Sequence, residues 1–382
     1  MERLTGAVKN YAWGSTTLLA ELQNAAPSTD PEAEIWYGAH PGASTMCADG
    51  SSLLECIEAN PVATLGQPIV DRFGPKLPFL LKLLAADSPL SIQAHPSLEQ
   101  AKAGFAAEEA AGIDRNDPAR SFKDDNHKPE LICALTPFEA LVGFRDPGET
   151  ARLYEAIGIN GPLAGALIDQ GPKFVVTQLL SNTTDMGHEC GRIVAQLIEA
   201  ASAYDGTEWA DECSLITRLA DEYPGDPGVA VASLLNYVTL QPGEALYLGA
   251  GNMHAYVSGL AIEIMANSDN VLRGGLTPKH IDVPNLLEVV IPDPLEPELV
   301  PIDEHGQYLT PAPEFALRRL QPETRPEIEG PCIVLCTGGS VTVTQGDHAL
   351  KLEPTQACWL PVGQIGQVSD GAGQCWLATV GS

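Results

Sequence analysis

The sequence predicts a mainly β chain interrupted by one helical insertion, and three observations predict it. Short apolar runs cut by Gly, Pro and Asp fill residues 1–146, apolar residues recur at three- and four-residue spacing over 147–240, and alternating runs return from residue 241. At 382 residues, 44% apolar and 19% charged, the chain has material for two or three domains and lacks the bias of fibres or disordered tails.

In chain order, strands are expected near residues 6–13, 35–38, 78–85, 91–95 and 131–135, with helices at 16–24 and 97–111. Ser97 and Gln100, just after Pro96, carry a capping-box signature for the second helix. Val194, Leu197, Ile198 and Ala201, then Leu215, Leu219 and Tyr223, mark the helical segment, which Gly206 and the Pro224 to Gly228 turn break. Strand texture resumes at 245–248 and 260–265, and the Pro-rich stretch 292–326 reads as a connection. Short strands at 332–336, 341–344, 350–352, 358–361 and 375–380 then indicate a barrel or jelly roll, its core filled by Trp359 and Trp376.

The charge excludes several functions. Fifty Asp and Glu against 21 Lys and Arg leave −29, which repels nucleic-acid backbones and anionic lipid surfaces. The longest apolar run, residues 77–90, contains Lys82 and Asp87, so nothing reaches the roughly 20 apolar residues of a membrane span. Met1, Glu2, Arg3 and Leu4 lead into Gly6, Lys9 and Asn10 rather than an apolar signal core. The expectation is a cytoplasmic monomer that acts on a small molecule, with neither nucleic acid nor membrane as partner. Nine cysteines form an odd set without a C-x-x-C spacing, so they read as buried thiols; Cys332 and Cys336 share one face of a strand.

Three polar constellations stand at strand edges. In Ser91-Ile-Gln93-Ala-His95-Pro96 the period of two turns Gln93 and His95 to one face. In Asp124-Asp-Asn-His127-Lys128-Pro129-Glu130 the stiff Pro129 sets Glu130 at the mouth of an apolar strand. In Gly251-Asn-Met-His254-Ala-Tyr256 a Gly-rich turn delivers His254 into the next strand. Gln93, His95, Glu130 and His254 together make a two-nitrogen, two-oxygen set suited to one divalent cation. Zinc is the first choice; the glutamine oxygen leaves iron, manganese or cobalt open. One carboxylate against a dication leaves about one positive charge, so the pocket favours anions. Arg273 and Lys279, six residues apart around Gly274 and Gly275, extend that positive character, the glycines letting backbone approach a ligand, and Lys82 and Lys128 can join them.

Tyr11-Ala-Trp-Gly-Ser15, Glu34-Ile-Trp-Tyr-Gly-Ala-His40, the three constellations above, and Ser268-Asp-Asn-Val-Leu-Arg273 followed by Thr277-Pro-Lys279 together resemble the type I phosphomannose isomerases. The likeness runs in order from residue 6 to about residue 290. It implies a double cupin with an inserted helical domain: residues 1–146 and 241–310 as a discontinuous catalytic cupin, 147–240 as the insertion, and 311–382 as a C-terminal cupin without metal. It further implies that Gln93, His95, Glu130 and His254 bind one zinc ion, that Arg273 is an active-site arginine, that Tyr256, Glu263 and Lys279 line the pocket, and that His127 and Lys128 serve proton transfer or substrate contact.

Moving a carbonyl between C1 and C2 of a hexose phosphate requires removal of a weakly acidic proton and stabilisation of a cis-enediolate. A zinc ion polarises the carbonyl, while a base shuttles the proton. A guanidinium hardly deprotonates, so Arg273 is expected to hold charge, and Glu263, His127 and Lys128 are the shuttle candidates. Glu263 sits alone among apolar neighbours, which favours a raised pKa. Lys279, Lys82 and Ser91 are candidates for the phosphate. The C-terminal β region has the single histidine His348 and no H-x-H or Q-x-H pair. A silent sugar-phosphate-binding relative is the alternative reading, and an iron oxygenase is a third.

Overall fold

The apolar run at residues 77–90 becomes the strand Phe79–Ala86, buried along its whole length. It can be because strands flank it on both sides, Glu34–Tyr37 and His254–Ala266, and apolar side chains cover both faces. The computed structural model of the chain describes residues 1–159, 162–181, 186–369 and 373–381.

The strand His254–Ala266 organises the first β unit. Its first half pairs with Phe138–Phe144 and with Gln93; its second half runs between Phe79–Ala86 and Glu130–Ala134. Gly259, at φ +114°, marks the change of partners, and a Cβ there would lie 2.6 Å from the Pro137 carbonyl oxygen. One long strand thus brings sequence-distant edges to a single place.

Residues 147–240 supply the helices Pro147–Ala156, Pro162–Gln170, Pro172–Leu180, Met186–Ser202, Ala210–Glu222 and Gly228–Ala232, as the spacing predicts. Their apolar faces share one core with Phe144, Ala255 and Leu272 of the β unit. Leu235–Leu240 is instead a strand paired with Phe138–Phe144. The helix Leu98–Ala110 starts at Ser97 with the predicted capping box.

The second β unit faces a six-stranded sheet with a four-stranded one, and three expectations change there. Ala316–Leu320, inside the supposed connection, is a strand paired with Gln374–Thr379. Glu2–Thr5 pairs with Ala357–Leu360, so the chain's first strand lies in this sheet. Trp359 and Trp376 do not fill the unit's interior: the period of two sends Cys358, Cys375 and Leu377 inward, and both tryptophans to the opposite face, into a core that also holds Phe79, Leu83 and Leu260. That interior holds Cys332, Cys336, Cys358 and Cys375 among Val, Leu and Ile.

The architecture is mixed rather than mainly β, with 29% helix and 31% strand. The excess is in short helices outside the insertion, Leu53–Ala59, Pro61–Leu65, Gln67–Phe73 and Val283–Val289, each too brief for apolar periodicity to reveal. Among the described residues no helix is long and apolar enough to cross a membrane.

Candidate metal centre

His95 follows the strand Ile92–Ala94, while Glu130 and His254 each open a strand, and the sheet brings these edges together. His95 Nε2 lies 3.2 Å from Glu130 Oε1, and His254 Nε2 lies 3.4 Å from Glu130 Oε2. One donor atom from each residue falls within 4.8 Å of the others. Gln93, partly buried, stands opposite both His254 and Arg273 in the strand register.

All three side chains are essentially sealed from solvent, yet His95 Nε2 and His254 Nε2 have no hydrogen-bond partner and face only the Glu130 carboxylate, whose Oε1 is met by Lys128. Such atoms are costly to bury unless something fills the gap between them. The other ring nitrogens are spoken for: His95 Nδ1 is 2.7 Å from the Asn270 carbonyl oxygen, and His254 Nδ1 is 3.0 Å from that of Asn252. A carbonyl can only accept, so each ring carries its proton on Nδ1 and turns the Nε2 lone pair inward. Burial, helped by the Lys128 charge, pushes the His95 pKa down to about 4, which keeps the ring neutral and able to donate to a metal. Burial alone would raise Glu130, but the Lys128 ammonium holds its carboxyl well below the usual range. This donor set fits a zinc-class cation.

Lys128 Nζ is 2.8 Å from Glu130 Oε1, and the Tyr256 hydroxyl donates to Glu130 Oε2 at 3.1 Å. Burial and the Glu130 charge raise the Tyr256 phenol well above its ordinary value, so it remains a donor. Glu263 lies next along the sheet, with Oε2 2.6 Å from Lys82 Nζ, and burial raises its pKa although Lys82 opposes. Lys82 is also 3.5 Å from Glu34, which accepts from the Trp36 indole at 2.7 Å. Lys82 therefore stands between two carboxylates.

A separate group of cations is unpaired. Among the described residues Arg273, Lys279 and Lys123 form no ion pair, and Arg273 and Lys123, after burial, lower the Lys279 pKa. Ser91 is partly buried beside the strand Ile92–Ala94. Gly274 and Gly275 are required by packing: a Cβ on Gly275 would meet Gly228 Cα of the helical insertion at 2.3 Å, and one on Gly274 would meet Met253 at 2.6 Å. Asp226 of the insertion accepts from the Leu276 and Thr277 amides, so the helical region anchors the loop that carries Arg273 and Lys279. His127 Nε2 is 2.6 Å from Glu314 Oε1, away from the ligand cluster's own contacts.

Sequence reasoning missed Glu34, Lys123 and Asn270. Glu34 and Trp36 are two apart on a strand, a spacing that did place them on one face. Asn270 is fully buried; its side chain binds the backbone at Lys123, Asp124 and Asn126, and its own carbonyl orients His95. Only the tertiary fold makes that hub visible.

Relatives match this chain along nearly its whole length. The mannose-6-phosphate isomerase of Shigella flexneri is 39% identical over 374 residues, covering 94% of each chain. The chain belongs to the type I phosphomannose isomerase family. A family model of the phosphomannose isomerase type I catalytic domain matches residues 1–147. A crystal structure of a single-residue variant of phosphomannose isomerase from Salmonella typhimurium superposes with a TM-score of 0.90 at 35% identity, covering 100% of both chains. A zinc-bound holo mannose 6-phosphate isomerase gives 0.89 at 35% identity, over 100% of this chain and 99% of that one. The family's likeness thus extends beyond residue 290, through the second β unit.

Proposed function

We propose that this chain is a zinc-dependent aldose-ketose isomerase that interconverts mannose 6-phosphate and fructose 6-phosphate. The observation that carries the reading is the sealed triad of His95, Glu130 and His254, whose two imidazole Nε2 atoms turn lone pairs toward the carboxylate with no hydrogen-bond partner while both Nδ1 atoms are locked, in a chain of this family. Gln93, His95, Glu130 and His254 would hold the ion. Zinc, when bound, supplies Lewis acidity toward the sugar's carbonyl oxygen.

The chain's own groups do the rest. Lys279 and Lys123, unpaired in a chain of −29 charge, attract the phosphate, and that remote contact positions the open-chain sugar. Arg273, beside Gln93 in the register, holds the negative charge that grows as the enediolate forms. A base removes the proton from C2 of the aldose and returns it to C1, while the hydroxyl and carbonyl oxygens exchange a proton. Glu263, His127 and Lys128 remain the groups for this transfer; Glu263 already shares a short contact with Lys82, a ready donor for the return. The fold reading that goes with this function is a double cupin, with residues 147–240 inserted in the catalytic unit and the C-terminal unit free of metal.

A coupled assay for fructose 6-phosphate, run beside metal analysis of the purified protein, tests the proposal. Isomerase turnover with about one zinc per chain is expected. Bound metal without turnover would make the chain a sugar-phosphate binder, and iron with oxygen uptake would make it an oxygenase.

A further inference from the structure

One polar contact links the neighbourhood of the metal centre to the second β unit. His127 and Glu314 are 187 residues apart in sequence, and their Nε2 and Oε1 atoms are 2.6 Å apart. The contact is not a surface ion pair: the Glu314 side chain is 8% exposed and that of His127 23%. Glu314 stands just before the strand Ala316–Leu320, and its other oxygen is buried without a hydrogen-bond partner. On the His127 side the chain is stiff. Pro129 follows within two residues, Lys128 between them reaches Glu130, and Glu130 belongs to the metal triad.

A carboxylate kept this dry, with one oxygen unsatisfied, is a poor device for stability alone, since an apolar pair of equal volume would hold the two units together at lower cost. It is a good device for orienting an imidazole. Charge-assisted hydrogen bonding to one ring nitrogen fixes the tautomer and stabilises the imidazolium that forms when the other nitrogen takes a proton.

We propose that Glu314 is a positioning residue for His127: its carboxylate accepts the Nε2–H, and so reserves Nδ1 as the ring atom that exchanges the substrate's proton. The second β unit then contributes to the reaction through one side chain, although it lacks metal ligands of its own. The inference rests on the isomerase reading above. During the transfer the proton leaves C2 for Nδ1, the positive ring is balanced by Glu314, and the same proton is returned to C1; nothing is consumed.

The test uses the zinc-loaded full-length protein and mannose 6-phosphate. Glu314→Gln keeps the shape and removes the charge; kcat should fall about 10- to 100-fold, with KM, zinc content and Tm close to those of the unmodified chain. In a His127→Asn background the same substitution should change kcat less than about two-fold, because its effect passes through the ring. An equal loss in both backgrounds, or an unchanged kcat in the single variant, would overturn the proposal. Nitrogen-15 NMR of histidine-labelled enzyme needs no variant: a protonated Nε2 and bare Nδ1 at His127 are expected, and a protonated Nδ1 with a bare Nε2 would refute it. If the unmodified chain shows no isomerase turnover, it is the functional reading that fails; with turnover present and additive losses, only the role of Glu314 falls.

Discussion

The two β units put opposite kinds of side chain on their inward faces. The first buries His95, Glu130, His254, Lys82 and Glu263, several with unsatisfied atoms; the second buries cysteines with Val, Leu and Ile. Each unsatisfied buried polar group costs about 1–3 kcal/mol, whereas each large apolar side chain contributes about 1.5–3 kcal/mol. Burial also raises the second unit's thiols, Cys332 and Cys358 among them, which keeps them protonated and packed as small apolar groups. The contrast teaches that β architecture alone assigns no chemistry. The first unit's polar interior is flanked by two apolar cores that its own strands share, one with the helical insertion and one with Trp359 and Trp376.

Removing a ligand breaks the comparison most severely. His254→Ala should abolish zinc binding and lower kcat/KM about 1000-fold or more, the several kcal/mol that a Lewis acid supplies; metal analysis with the coupled assay reads both. Arg273→Ala should retain zinc and lower kcat about 100- to 1000-fold. Loss of zinc in that variant would make Arg273 part of the metal site's framework and not its chemistry.

The apolar unit answers differently. Leu360→Ala, a fully buried change in the second unit's interior, should cost about 2–5 kcal/mol of stability. Thermal unfolding should shift while zinc content and KM stay put; a loss of zinc would show that the two interiors are coupled. Asn270→Ala acts between these extremes. It loosens the loop that aims a carbonyl at His95, so zinc affinity, measured by competition with a chelator, should fall about 10- to 100-fold.

Much of this contrast is legible in the sequence, and the limits have physical reasons. Strands that carry His95, Glu130 and His254 announce themselves by apolar runs cut at Pro and Gly, and ligand chemistry needs only the residue types at their edges. The helical insertion shows through its period. Partners set by tertiary contact do not show: nothing local tells Lys82 that Glu34 and Glu263 will flank it, or sends Trp359 outward, since alternation assigns two faces without naming which is the interior. The strand Ala316–Leu320 hides among prolines, and nothing near Gly275 announces that Gly228 packs against it. Asn270 and Glu314 act across more than a hundred residues, where one sequence carries no signal.

The smallest effect concerns protons. His95 is held at about 4 in the metal-free fold, first by burial and then by Lys128, against an ordinary value of 6.5. Between those values the unfolded chain binds a proton that the folded chain refuses. More protons on the unfolded side make stability rise with pH, so the metal-free protein weakens as pH falls through 6.5. From pH 7 to 5.5 this one ring costs about 1 kcal/mol. Other groups titrate there too, and His95→Gln separates them: the metal-free variant should lose less stability over that range than the unmodified metal-free chain, by about this amount. Equal slopes in urea unfolding at the two pH values would mean that His95 is not held neutral by its surroundings, and the polar interior would then be less different from the apolar one than the structure shows.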